Sequence, residues 1–415
     1  MTSQVLLINP LSVAIASDSV ISQRDGENTF KTRDTSEKIL PLPNHCIAVM
    51  TNGESELAGY PIESLLWEWS RTLNTPLDTV DHYLNSFLKW LEKLPEMSNV
   101  STQKRMYERL VDNFLNRLWK ATSEWEVAKR DGGELPEEDS ETIEVTFSEE
   151  SLKDLDSRID VWVDWVKNLE VLTGLDESWS RGIYFQFADL ANERINYWLD
   201  DRHISDANLL KIQNAIQRLA ANYVPSYSIG VVFAGFGNKD LLPKCVYTDI
   251  FDVLAGRTRH SEISATGSGY HFFGQWRHSV QFIRGIDSEF QRRTVQKFAH
   301  LMIEKFENDE RLSFAPIPSD TEETESISNF CHDLSRELDN FFEEYAEKNF
   351  TDPFMNVIRL SPESDLGRLA HTLIEIEAIR QSINETTPTV GGPIDVAVIS
   401  KVNGFRWVQH KTLGT

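Results

Sequence analysis

The first sixty residues carry short apolar runs that lack helical spacing. Val5-Leu6-Leu7-Ile8 and Val13-Ala14-Ile15-Ala16 flank Asn9-Pro10, a turn signal, and together they predict a strand hairpin. Both runs are apolar at every position, which belongs inside a layered sheet rather than on its surface. A second strand pair, Lys38-Ile39-Leu40 and Cys46-Ile47-Ala48-Val49-Met50, is joined by Pro41-Leu42-Pro43-Asn44. The period then changes. Ile62, Leu65, Leu66 and Trp69 stand one helical face apart, and so do Tyr83, Phe87, Trp90, Leu91 and Leu94. Leu155, Ile159, Trp162, Val166 and Leu169 repeat the pattern. Nine of the eleven tryptophans lie between Trp67 and Trp198, so residues 60–225 read as a mostly helical block with its own aromatic core. Within it, residues 134–160 hold eleven acids against Lys153 and Arg158, the mark of a solvated loop.

Strand character returns over residues 227–234. The turn Gly235-Phe236-Gly237-Asn238 follows, then a strand over 244–247. Residues 272–306 read as helix, and the polar residues 307–326, with Pro316 and Pro318, as a loop. Leu366, Leu369, Leu373 and Ile376 mark another helix. The last apolar run, residues 394–399, meets residues 405–408 across Asn403-Gly404, a strong hairpin signal. No internal repeat is visible. Strands at each end with helices between suit an α+β layered domain better than a βαβ alternation.

Composition narrows the function. The 415 residues are enough for two or three domains, or for one with large insertions. With 41 basic and 65 acidic side chains the formal charge is −24, which argues against binding nucleic acid or an anionic membrane. Cys46, Cys245 and Cys331 are far apart, so neither a disulfide framework nor a zinc ribbon is expected. No apolar run reaches the length of a bilayer span, and the first residues lack the basic start of a secretory signal. The chain therefore reads as soluble and cytoplasmic. The ten histidines are scattered, and His271 and His278, seven apart, have no carboxylate or cysteine close by in sequence, so they read as packing or surface groups and no metal is expected. Neither GxxxxGK[ST] nor GxGxxG occurs, and no cofactor is expected. If ATP is needed, a separate unfoldase must supply it.

The candidate chemistry lies at the start. Thr2 follows the initiator Met, and its small side chain suits removal of Met1. The freed residue would carry a hydroxyl nucleophile and an α-amine able to act as its base. Asp18 lies sixteen residues on, at the end of an apolar strand, and Lys38 opens the next strand. Gly53 follows the strand over 47–50, and Gly267-Ser268-Gly269 comes before a predicted helical stretch. Each taken alone has a plain reading: a common second residue, a surface ion pair, a turn glycine, a loop.

In this order the residues resemble the proteasome β-subunit and HslV-like family of threonine peptidases, with the chain as a divergent, bacterial-type member. The resemblance implies an N-terminal-nucleophile (Ntn) hydrolase fold, a four-layer αββα sandwich, here with a large, mostly helical insertion. It implies a core from residues 1–60, 226–300 and 361–415, a helical insertion over 61–225 and a second helical, acidic one over 301–360. It implies Thr2 as nucleophile, Asp18 holding a catalytic Lys38, Gly53 N–H as oxyanion donor, and Ser268 near the Thr amine. Ile21, Ser22, Ser36, Thr51 and Ser55 would line a substrate pocket for uncharged side chains. It further implies a peptide or unfolded-protein substrate, a homo-oligomer, and a separate ATPase unfoldase as partner. The sequence departs from the pattern in two places. The Asp18–Lys38 spacing is longer than in compact members, so Lys31 or Arg33 competes for the lysine role. The Asp-x-x-Ser expected before the last hairpin is replaced by Thr386-Thr387-Pro388-Thr389-Val390. A catalytically inactive scaffold of the same fold, and an amidase for small amides, stay open as alternatives.

Overall fold

The structure, a computed structural model, describes residues 2–25, 28–33, 37–131, 155–199, 204–308, 321–384 and 389–411. Its first half holds β1 (Ser3–Ile8), β2 (Ser12–Ser17), β3 (Ile21–Asp25), β4 (Asn28–Arg33), β5 (Ile39–Pro41), β6 (Ile47–Gly53), β7 (Glu56–Leu57) and β8 (Tyr60–Pro61). Eight helices follow: α1 (Ile62–Ser70), α2 (Val80–Lys93), α3 (Pro95–Ser98), α4 (Val100–Asp131), α5 (Leu155–Asn168), α6 (Glu177–Gln186), α7 (Ala188–Leu199) and α8 (Asp206–Asn222). Then come β9 (Ile229–Gly235), β10 (Lys244–Leu254), β11 (Arg257–His260), β12 (Ser264–Thr266) and β13 (Gly269–Gly274). The chain closes with α9 (Arg277–Arg284), α10 (Ser288–Asn308), α11 (Thr321–Ala346), a π-helical turn (Glu347–Thr351), α12 (Asp352–Leu360), α13 (Glu363–Asn384), β14 (Asp395–Ser400) and β15 (Gly404–Gln409). The fold is a mixed α/β one with antiparallel sheets and many helices. No helix among the described residues is long and apolar enough to cross a membrane.

The chain forms two units. Met1–Ile39 with Gly267–Thr415 make the first, and Leu40–Thr266 the second. In the first unit the sheet order is β13-β1-β2-β14-β15, antiparallel throughout. Alternate side chains of its strands, Val5 and Leu7, Ala14 and Ala16, Val396 and Val398, pack on Ile283 of α9, Ile358 of α12 and Leu366, Ala370, Leu373 and Ile374 of α13. The intervening Leu6, Ile8, Val13, Ile15, Ala397 and Ile399 are just as deeply buried, which is why the apolar runs show no alternation. The β1–β2 turn is set by Asn9. Its side-chain oxygen accepts from the N–H groups of Leu11 and Ser12, both at 3.0 Å, and its amide nitrogen donates to the carbonyls of Ile358 and Ser361 at the end of α12.

In the second unit the order is β11-β10-β9-β6-β5, with β12 on β10. Trp69 of α1 and Tyr83, Phe87 and Leu91 of α2 cover Val49, Val231 and Phe233. The remaining helices, α4 to α8, share a separate core around Tyr107, Phe114, Ile216, Leu219 and Tyr223. Helices α1 to α8 thus serve two cores, and Trp162, Trp165, Trp179 and Trp198 lie at the rim of the second. Buried Arg259 on β11 donates to Asp252 at 2.6 Å and to the carbonyls of Leu219, Ala220 and Tyr223. One guanidinium thus serves the Ala220 and Tyr223 carbonyls at the end of α8 and adds a second donor to the Leu219 carbonyl, which also accepts from Tyr223 N–H.

Three sequence expectations are corrected. Residues 272–306 are not continuous helix: Tyr270, Phe272 and Phe273 lie in β13, where aromatic side chains suit a pleated strand. Helix α11 starts at Thr321, inside the segment read as a loop. The acidic stretch is helical from Leu155 onward, because Ile159, Val163 and Val166 face the helical core; residues 132–154 lie outside the described residues. The longer Asp18–Lys38 interval holds the β3–β4 hairpin.

Candidate active site

The residues singled out in the sequence fall in both units. Thr2, Asp18, Lys38 and Ser268 belong to the first, and Gly53, Thr51 and Ser55 to the second. Thr2 precedes β1 and is half-buried. Both ends of the peptide unit that follows its Cα are held. The Thr2 carbonyl accepts from Gln275 N–H at 2.7 Å, and Ser3 N–H donates to Asp18 Oδ1 at 3.0 Å. The Ser3 hydroxyl donates to the Gln275 carbonyl at 2.7 Å. A further constraint comes from Gly274, opposite Ser3 in the β1–β13 register. It has φ +75°, and a Cβ there would lie 2.0 Å from the Thr2 carbonyl oxygen. Only glycine permits both that conformation and that approach.

Asp18 follows β2 with its side chain fully buried. Besides Ser3, it accepts from Val20 N–H at 3.2 Å, Gly391 N–H at 3.4 Å and Lys38 Nζ at 2.8 Å. Three backbone donors and an ammonium compensate a carboxylate taken out of water. Lys38 Nζ donates also to the Val20 carbonyl at 2.6 Å. Burial of the Lys38 side chain pulls its pKa below the ordinary lysine value. The charge and hydrogen bond of Asp18 oppose this, and the charge of Lys411 adds to it. The geometry therefore gives a buried cation with a lowered proton affinity, tied through one carboxylate oxygen to the backbone N–H that follows Thr2.

Ser268 is not brought to this place. Gly269 pairs with Ile8 and Gly274 with Ser3, so the register carries Ser268 past the opposite end of β1, seven positions or roughly 23 Å from Thr2 along the strand. Its backbone instead accepts a hydrogen bond from the His271 ring, whose pKa burial lowers against that bond. The residue next to Thr2 is Gln275, which the sequence reading missed. The signal was present in Gly274-Gln275, standing directly before α9, whereas Gly267-Ser268-Gly269 precedes a strand.

Gln275 is fixed by α13. Its Oε1 accepts from Gln381 Nε2 at 2.5 Å and from Thr389 Oγ1 at 2.9 Å, and Gln381 Oε1 accepts from Val390 N–H at 3.1 Å. One turn earlier on the same helix face, Glu377 accepts from the N–H groups of His278 and Ser279 and caps the start of α9. Thr389, in the stretch that replaces the expected Asp-x-x-Ser, is thus part of a buried hydrogen-bonded cluster on the segment that grips Thr2.

Gly53 ends β6 with φ +79°, and a Cβ there would lie 2.4 Å from the Ser228 carbonyl, which accepts from Glu54 N–H at 2.9 Å. Thr51 is buried in the same strand and Ser55 is exposed. Ile21 and Ser22 begin β3, and Lys31 and Arg33 belong to β4; Ser36 lies outside the described residues. Among the described residues no three His, Cys, Asp or Glu side chains gather as a metal site would require.

No protein-family model matches the chain, and no curated protein does. Solved structures do match. One is described as the Anbu (Gly-1) mutant from Hyphomicrobium sp. strain MC1. It is similar at 8% sequence identity and a TM-score of 0.21, over 81% of this chain and 96% of that one.

Proposed function

We propose that the chain hydrolyses peptide bonds as an Ntn hydrolase of the proteasome-like class, with Thr2 as nucleophile once Met1 is removed. The observation that carries this reading is the shared oxygen of Asp18, which accepts from both Ser3 N–H and Lys38 Nζ. It couples the backbone of the candidate nucleophile to a buried ammonium.

In the proposed reaction Thr2 Oγ forms a bond to the substrate carbonyl carbon, and its proton passes to the Thr2 α-amine. The amine returns that proton to the departing substrate nitrogen as the C–N bond breaks, leaving an ester on Thr2. Water then adds to the ester carbonyl, giving its proton to the same amine. The ester C–O bond breaks, Thr2 Oγ is reprotonated and the acid product leaves. The Lys38 ammonium supplies positive potential, which favours a neutral amine beside it. Asp18 orients Lys38. Gln275, whose N–H donates to the Thr2 carbonyl, is the proposed positioning residue beside Thr2, where the resemblance had set Ser268 near the Thr amine. Ile21 and Ser22 remain proposed pocket residues. A peptide or unfolded-protein substrate, a homo-oligomer, a separate ATPase unfoldase and a cytoplasmic location belong to the same proposal.

The test is the intact mass of the purified chain together with a peptidase assay and labelling by a peptide epoxyketone, which reacts with a threonine carrying a free amine. Loss of Met1, and labelling abolished in Thr2→Ala, support the reading. A retained Met1, or equal turnover by wild type and Thr2→Ala, removes it. One observation favours a non-catalytic scaffold as second reading: among the described residues, the hydrogen bonds of Lys38 Nζ go to Asp18 and Val20 and none goes to the Thr2 hydroxyl. Labelling of Thr2 would exclude that alternative.

A further inference from the structure

A second buried ammonium lies close to the first. Lys411 follows β15, and its side chain is only 4% exposed. Its Nζ binds Asp395 Oδ2 and donates to Ser19 Oγ at 3.2 Å. Asp395 begins β14 opposite Ser17 of β2. Its other oxygen accepts from Lys411 N–H at 2.9 Å and lies 3.1 Å from His410 Nδ1. The His410 ring stacks on Trp407 at 4.1 Å between centroids. The sheet and the stacked ring thus fix Lys411 in place.

Ser19 connects the two ammonium groups. It sits between Asp18, which holds Lys38, and Val20, whose carbonyl also accepts from Lys38. Its hydroxyl donates to the Pro393 carbonyl at 2.6 Å, its N–H donates to the Gly391 carbonyl at 3.3 Å, and Gly391 N–H returns to Asp18 Oδ2. A chain of hydrogen bonds therefore runs from Lys411 through Ser19 and Gly391 to the carboxylate that holds Lys38.

We propose that Lys411 is a positioning residue for the Asp18–Lys38 pair: held by Asp395, it anchors Ser19 and sets a second positive charge beside that of Lys38. The inference rests on Lys38 having the role given above. The charged groups involved are Asp18 at the end of β2, Lys411 and His410 after β15, and Asp395 on β14. Two like charges in one buried patch each make the other's protonated form less favourable, and the charge of Lys411 acts on Lys38 in that direction. Lys411 thereby favours release of the Lys38 proton, while Asp18 opposes it.

The experiment uses the full chain with ¹⁵N-labelled lysine. The Lys38 Nζ resonance is assigned by its loss in Lys38→Met and followed through a pH titration. Lys411→Gln should move the Lys38 midpoint upward, and Lys411→Arg should leave it near the wild-type position. If Lys411→Gln does not fold, Lys411→Met, which keeps the apolar stem and removes only the charge, is read the same way. A midpoint unmoved by loss of the Lys411 charge overturns the proposal, as does a Lys411→Arg midpoint that moves with that of Lys411→Gln. The rate of Thr2 labelling by the epoxyketone is measured against pH in parallel, and its alkaline limb should move upward in Lys411→Gln. A moved Lys38 midpoint in a protein whose Thr2 is never labelled keeps the Lys411 inference and removes the hydrolase reading. Labelling with an unmoved midpoint does the reverse.

Discussion

Asp18 and Lys38 face each other across 2.8 Å with both side chains buried, and the same Asp18 oxygen accepts from the N–H that follows Thr2. Removing either partner leaves the other as an uncompensated buried charge. Asp18→Ala and Lys38→Met are each expected to cost about 3–5 kcal/mol, read as the change in urea midpoint at constant slope. A loss under 1 kcal/mol in both would show that the pair is not buried as described.

The lowered pKa of Lys38 fixes the sign of a pH effect. Between its folded value and the ordinary 10.5, the unfolded chain binds a proton that the folded chain does not. Stability from this group therefore rises with pH through that window, while below it the cost of burying the ammonium is felt in full. Urea unfolding of wild type against Lys38→Met across alkaline pH isolates the slope, and a wild-type-specific fall in that window contradicts it.

Gly274→Ala should be poorly tolerated. The left-handed backbone alone costs about 1–3 kcal/mol for a residue with a side chain, and the new Cβ also meets the Thr2 carbonyl. A lowered thermal midpoint is expected, with slower epoxyketone labelling in the fraction that folds. Wild-type values for both would refute the close approach.

Arg259 is expected to resist even a conservative change. Arg259→Lys cannot reach Asp252 and three carbonyls at once, because lysine lacks the planar fork. The check is hydrogen exchange, in which the last turn of α8 should lose protection in Arg259→Lys while α2 keeps it.

The three cysteines should differ in reactivity. Cys245 is buried and burial pushes its thiol pKa up, Cys331 is buried, and Cys46 is partly exposed. Since the thiolate is the reactive form, Ellman's reagent should modify Cys46 first in the native protein. Earlier modification of Cys245 would contradict the packing of β10.

The local features were legible in the sequence. Asn9-Pro10 between two apolar runs, and Asn403-Gly404 near the end, each mark a hairpin that the structure contains, because a turn and its flanking strands are close in sequence. Leu366 and Leu373 lie on the buried face of α13, as their spacing requires. The proximity of Asp18 to Lys38 was also anticipated, through family resemblance rather than through any local rule. Tertiary structure decided the rest. The resemblance pointed to Ser268 as the neighbour of Thr2, and only the β1–β13 register, between strands more than 250 residues apart, puts Gln275 there instead. Nothing local to Lys411 or Arg259 announces that either ammonium or guanidinium is buried, since each finds its carboxylate and carbonyl partners only when distant strands and helices pack. Periodicity reports which face of an element is apolar, but pairing between remote elements depends on packing summed over the whole core, and no short stretch of sequence contains it.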